Sequence, residues 1–322
     1  MRIAIMGSGG VGGYVGSRLL AAGEDVIFIA RGAHLVALQK NGLRLDSPVH
    51  PLRLSKVNAV QDPIDVGPVD LIVFAVKLGD TETAARLLAP MIGPETRILT
   101  LQNGIDSVEM ITPHVGAAKV RGGVIYLSAV IDSPGVIRSP GGLHMIVADA
   151  AHGDPVMESF FAACDRATAL DAKPSSDIDV TVWEKFITLT SLSGTTSLLR
   201  ASMGEILATP ETHILQRQLI DEAVALGRAV GKVTRTDLAD EIMAKLAGMP
   251  YAFRSSMLED LERGNPLELR WLSGRVHALG LQYGVPTPGH SVVYRGLVLY
   301  EHGKSVYGGV SLAPWDAGCP LR

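Results

Sequence analysis

Six glycines fall between residues 7 and 16, directly behind the apolar run Arg2-Ile3-Ala4-Ile5-Met6. A short apolar run of this kind reads as a buried strand. Behind the glycines, Tyr14 to Ala22 spaces its apolar residues as a helix does, Gly23 supplies a stop, and Val26-Ile27-Phe28-Ile29 reads as a second strand. Within this strand, turn, helix, strand unit, Gly7-Ser8-Gly9-Gly10-Val11-Gly12 fits GxGxxG, a weak pattern in isolation that gains force from its setting. Gly7 would allow the tight turn, Gly9 close approach of the backbone to a pyrophosphate, and Gly12 close packing of helix on strand. The helix N-terminus behind them attracts anions. Further apolar runs at Leu71–Val76 and Arg97–Leu101, separated by the helical stretch Thr81–Met91, continue the alternation of a parallel α/β sheet through about the first hundred residues.

The texture then changes. Val124–Val130 and Leu143–Val147 read as β pieces separated by Pro/Gly turns, and Pro155–Leu170 has a helical pattern. The polar segment Lys173-Pro174-Ser175-Ser176-Asp177 is the best linker candidate, and beyond it nearly everything has helical periodicity. The division expected is a dinucleotide-binding α/β domain over 1–175 and a helical domain over 176–322. No self-similarity at a period of 20–50 residues points to a repeat array.

Composition narrows the function classes. A chain of 322 residues suits two domains. With 19% charged residues and a formal net charge of −4 it offers no cationic field for a phosphate backbone, so nucleic acid is not an expected partner. Cys164 and Cys319 lie far apart and form no CxxC pair, which fits a reducing, cytoplasmic compartment and no thiolate metal site. The apolar runs are too short for a signal-peptide core or a membrane span, so no membrane association is expected. Nine histidines occur without HxxH or HExxH spacing, and no GxSxG elbow is present.

Several side chains invite a chemical reading. The second strand runs into Ala30-Arg31-Gly32 with no acid to bond ribose hydroxyls, and Arg31 can pair with a 2′-phosphate, favouring NADP (NADPH) over NAD. Lys77 and Asn103 follow the strands at 71–76 and 98–101, at the carboxyl edge where open sheets bind ligands, though taken alone Asn103-Gly104 is an ordinary turn and Lys77 a surface lysine. Lys185, in Val182-Trp183-Glu184-Lys185-Phe186, opens a long uncharged stretch, and a buried lysine can donate a proton near neutral pH. An exposed ion pair with Glu184 is the plainer alternative. Ser256 and Glu259 form the S-x-x-E pattern that makes Ser256 a helix N-cap. Glu268 is unremarkable by periodicity.

Taken together, GxGGxG at the start, Arg31, Ala75-Val76-Lys77, Leu101-Gln102-Asn103-Gly104, Trp183-Glu184-Lys185, Ser255 to Asp260, Glu268 and Gly284 to Pro288 resemble the ketopantoate reductase (2-dehydropantoate 2-reductase) family in order and spacing along essentially the whole chain. That resemblance implies an N-terminal Rossmann domain, an all-helical C-terminal domain like that of 6-phosphogluconate dehydrogenase, and a cleft where a 2-keto acid meets NADPH. It makes Lys185 the general acid and Glu268 the carboxylate that orients it. By the same resemblance Asn103 and Lys77 line the nicotinamide and substrate region, and Ser256 and Ser193 bind substrate. The sequence departs where the family carries asparagines one and two helical turns after the lysine, since Leu189 and Ser193 stand there. Arg270 and Ser273 likewise replace family Asp and Asn. The expected activity is NADPH-dependent reduction of ketopantoate to pantoate in pantothenate biosynthesis. Reduction of another 2-keto acid or carbonyl is the alternative, and a non-catalytic NADP-binding sensor is a third. An apolar helical domain suits a homodimer, but nothing in the sequence singles out the face.

Overall fold

The structure is a computed structural model that describes residues 1–150 and 153–303; Cys319 lies outside the described residues. In chain order the strands are β1 (Arg2–Met6), β2 (Asp25–Ile29), β3 (Leu43–Asp46), β4 (Leu52–Leu54), β5 (Asn58–Val60), β6 (Val69–Phe74), β7 (Ile92–Thr100), β8 (Val120–Tyr126), β9 (Val130–Ser133), β10 (Val136–Arg138), β11 (Met145–Asp149) and β12 (Asp171–Ser175). Eight of them make one sheet in the order β12-β11-β8-β7-β6-β1-β2-β5. From β5 to β8 all neighbours are parallel, while β11 runs antiparallel to β8. The strand order reverses on either side of β1, which makes its carboxyl end and that of β6 the switch point of a Rossmann sheet.

The helices of this half are α1 (Gly10–Ala21), α2 (Gly32–Asn41), α3 (Thr81–Ala85), α4 (Ser107–Val115) and α5 (Pro155–Arg166). Helix α1 starts at Gly10, four residues before the expected Tyr14. Glycine is a poor helix former, yet packing overrides propensity here. A Cβ on Gly12 would lie 2.1 Å from the Gly7 carbonyl oxygen, and one on Gly13 2.9 Å from Ile137 of β10. A second sheet, β4-β3-β10-β9, covers that face of the helix. Thus the β pieces expected to finish the domain divide between two sheets. The helix expected over 81–91 ends at Ala85, followed by a 3-10 turn at Ala89–Met91, because Pro90 lacks the N–H a continuing helix needs. The expected linker at 173–177 is largely strand: β12 pairs in parallel with β11 from Met145–Asp171 to Asp149–Ser175. As an edge strand it tolerates Pro174 and polar side chains.

From Ile178 onward the described residues are helical: α6 (Ile178–Leu199), α7 (Met203–Ala208), α8 (Pro210–Ala229), α9 (Leu238–Ala247), α10 (Ser256–Arg263), α11 (Ser273–Tyr283) and α12 (Pro288–Leu297). Helix α6 is buried on all sides over residues 190–197. Some of its Thr and Ser side chains offset the cost of burial by bonding back to carbonyls one turn earlier, as Ser191 does to Ile187, Thr195 to Ser191 and Thr196 to Leu192. No helix of the described residues is long and apolar enough to cross a membrane.

Candidate active site

The turn after β1 meets the turn after β6. Gly7 has φ +98°, and a Cβ there would sit 2.7 Å from the Val76 amide nitrogen, so only glycine fits. Gly9 differs: a Cβ at that position would meet nothing within 4 Å, leaving open space over the turn. Gly9 is the N-cap of α1 and offers no side-chain cap bond, and no acid lies in the first turn. The helix therefore presents uncapped N–H groups at its positive end. Ser8 is buried and its hydroxyl donates to the Ile29 carbonyl at 3.0 Å, which ties the turn to β2. Gly10 approaches the Ala129 carbonyl too closely for any side chain, and Val11 is partly covered beside it. Arg31 is exposed at the N-cap of α2, just past β2, with no ion pair among the described residues. These features fit a phosphate-rich dinucleotide: open space above glycine, free backbone donors, and a cation where the second strand ends.

Across from this turn the helical half contributes Lys185, in the second turn of α6. Its Nζ donates to Asn103 Oδ1 at 3.1 Å, and Asn103 Nδ2 donates to Glu268 Oε2 at 3.3 Å. The other oxygen of Glu268 accepts from the Leu78 amide at 3.2 Å. A single asparagine thus links the ammonium to the carboxylate, and a backbone N–H fixes the carboxylate. Lys185 is also 5.9 Å from the centre of the Tyr126 ring. Burial pushes the Lys185 pKa down to about 8, with Glu268 pulling the other way. Glu184 points elsewhere, pairing with Arg235 at 3.4 Å, so the exposed Glu184–Lys185 pair does not form.

The other candidates divide. Lys77 is exposed and reaches Asp260 of α10 at 2.7 Å. Ser256 is not the N-cap of α10. Ser255 takes that position, with extended backbone, and accepts from the Leu258 amide at 3.2 Å while meeting Thr196 Oγ1 at 2.7 Å. Ser256 is instead exposed in the first turn, four residues before Asp260 and hence on the same helix face. Ser193 is buried two turns beyond Lys185 with no hydrogen-bond partner for its hydroxyl, and the structure brings it into no bond with Lys185, Asn103 or Glu268. Leu189 packs against the apolar core of the helical half. Arg270 is held by Glu301 at 2.9 Å, and Ser273 lies 3.2 Å from His290 Nδ1. Sequence reasoning missed Tyr126, Asp260 and the Leu78 amide, because nothing local marks them. A salt bridge between Arg275 of α11 and buried Asp106, which precedes α4 without a side-chain cap bond to it, adds a further tie across the same junction at 2.6 Å.

Comparison with known proteins agrees in both halves. Residues 3–151 match the family model described as ketopantoate reductase PanE/ApbA, and residues 177–301 match the model of the PanE/ApbA C terminal. The chain is 30% identical to a 2-dehydropantoate 2-reductase of Mesorhizobium japonicum, covering 89% of this chain and 94% of that protein. A crystal structure of 2-dehydropantoate 2-reductase from Geobacter metallireducens superposes with a TM-score of 0.86 at 28% identity, covering 92% of this chain and 99% of that one. The fold is also that of a D-mandelate dehydrogenase solved with NADH and anilino(oxo)acetate, with a TM-score of 0.84 at 22% identity, covering 94% and 98% of the two chains.

Proposed function

The chain belongs to the ketopantoate reductase family, nicotinamide-dependent oxidoreductases acting on CH–OH groups, and on that premise we propose that it reduces 2-dehydropantoate to pantoate with NADPH. The observation that carries this reading is the hydrogen-bonded chain Lys185–Asn103–Glu268 facing the carboxyl edge of the sheet. When bound, NADPH supplies the hydride that adds to the substrate carbonyl carbon. The chain's own residues manage the charge and the proton. As the carbonyl π pair moves onto oxygen, the Lys185 ammonium stabilises the growing negative charge and gives that oxygen its proton. Neutral Lys185 then regains a proton from solvent. Asn103 accepts from the ammonium and so aims it, while Glu268, locked by Asn103 and the Leu78 amide, holds the asparagine and favours the charged lysine.

The remaining roles follow from position. The uncapped start of α1 and the space over Gly9 receive the pyrophosphate, and Arg31 receives the 2′-phosphate. Lys77 and Ser256, exposed near Asp260, are assigned to the entry of a carboxylate-bearing substrate. Ser193 lies deeper along α6.

A second reading has its own observation. Leu189, one turn past Lys185, offers only an apolar surface, and a pocket without a hydrogen-bonding partner discriminates weakly for a substrate hydroxyl. A 2-keto acid with an apolar side chain suits it. NADPH oxidation measured against ketopantoate and a panel of apolar 2-keto acids separates the two: the first reading expects ketopantoate to give the highest kcat/KM, the second an apolar acid.

A further inference from the structure

A cavity of about 330 Å³ opens at the C-terminal end of α1, lined among others by Arg18, Val49, His50, Leu52, Arg166 and Thr168. The glycine turn is at the other end of that helix, about 18 Å away for its length. Among the described residues no aspartate or glutamate lines the cavity.

Arg18 is the unusual member. It is only 3% exposed and has no carboxylate within ion-pair distance among the described residues. Its Nη2 donates to the His50 carbonyl, its guanidinium lies 5.1 Å over the Tyr14 ring, and its Nε has no partner among the described residues. Neither Asp171, whose charge acts on Tyr14, nor Glu24, which holds Arg166, forms an ion pair with it. Glu24 is buried and already shared between the Met1 ammonium and Arg166. The end of α1 offers at most about half a negative charge, and its last carbonyls accept from the backbone N–H groups of Ala22 and Gly23. An arginine cannot shed its proton to escape burial, so a charge in this position costs stability until an anion meets it.

We propose that this cavity binds a phosphate group of a small metabolite, with Arg18 as the buried counter-charge and Arg166 and Thr168 at the rim. Two guanidinium groups and a hydroxyl suit the oxygens of a tetrahedral dianion. The volume leaves room for a short apolar or hydroxylated tail beside Val49 and Leu52.

The test is calorimetric titration of inorganic phosphate into the full chain, with and without saturating NADP, against chloride at matched ionic strength. The expected result is saturable binding that persists when NADP fills the dinucleotide turn. It should weaken at least tenfold in Arg18→Met and about threefold or more in Arg166→Gln, a change of an exposed side chain that also removes one partner of Glu24, so melting curves of both variants confirm that they are folded. Glycerol phosphate binding at least as well as phosphate would identify an ester as the natural form; phosphate binding tenfold tighter would identify the free ion. The proposal is overturned if phosphate gives no saturable heat, if NADP abolishes the binding, if acetate binds equally well, or if Arg166→Gln is without effect.

Discussion

Lys185 Nζ donates to Asn103 Oδ1 across 3.1 Å, although the two residues are 82 positions apart in sequence and belong to opposite halves of the fold. The same amide passes the contact on to Glu268. In the proposed mechanism geometry, and not lysine alone, sets where the proton is offered. Asn103→Leu keeps the volume but removes both bonds, and kcat should fall by about 10²–10³ with little change in melting temperature. Steady-state kinetics beside thermal melting checks this, and a kcat within threefold of the parent would remove Asn103 from the proposed machinery.

The pH profile follows from the lysine. For reduction the protonated form is needed, and burial has brought its pKa to about 8. Log kcat/KM should be flat below that value and fall with unit slope as pH rises through it. Glu268 favours the charged form, so Glu268→Gln should move the break to lower pH, besides lowering the plateau. A break that moved upward would contradict the assigned electrostatics. The same shift has a stability side. The folded pKa lies below the ordinary value of 10.5, so the lysine costs stability fully below about pH 8, and the cost fades as pH rises toward 10.5. Lys185→Met should accordingly melt higher than the parent at pH 7.

Two glycines of the first turn make opposite predictions. Gly12→Ala drives a methyl to 2.1 Å from the Gly7 carbonyl oxygen, and should destabilise the fold by roughly 1–3 kcal/mol or more. Gly9→Ala meets nothing within 4 Å, so the protein should melt near the parent temperature. Its loss should appear in NADPH affinity, because the methyl enters the space proposed for the pyrophosphate. Calorimetric binding together with melting curves distinguishes the two, and unchanged NADPH affinity in Gly9→Ala would relocate the cofactor.

Arg31 bears on which dinucleotide is used. It is exposed, and no carboxylate stands beside it at the end of β2. Arg31→Ala should weaken NADPH by about 10–100-fold, the range of one charge-assisted bond of roughly 1.5–3 kcal/mol. NADH should change by less than twofold. Equal weakening of both would place the arginine away from the 2′-phosphate.

How much of this was legible in the sequence depends on range. The glycine turn was, because its reasons lie within a dozen residues: the strand ahead of it, the positive φ of Gly7 and the packing of Gly12 are local. The start of α1 was not, since glycines at 10, 12 and 13 lower helix propensity and only the contacts with Ala129, Gly7 and Ile137 explain them. Strand β12 read as a linker because an edge strand can be polar and carry Pro174 without losing its ladder to β11. Ser255 and Ser256 are adjacent, so pattern alone could not say which one caps α10; Thr196, on another helix, selects Ser255. The pairing of Lys77 with Asp260 and the seat of Lys185 between Asn103 and Tyr126 depend on how the halves dock, and no spacing in the chain encodes that. Only the resemblance to a family brought Lys185 and Glu268 together in advance.

Protonation of a 2-keto acid by Lys185 at this cleft is the step on which the other assignments depend. Its most direct test is a single-turnover measurement of NADPH oxidation by ketopantoate, comparing the parent with Lys185→Ala while NADPH binding is measured in parallel. Rapid oxidation is expected in the parent, with a loss of about 10²–10⁴-fold in the variant and NADPH affinity unchanged within a few-fold. A variant that oxidises NADPH within tenfold of the parent rate would contradict that step.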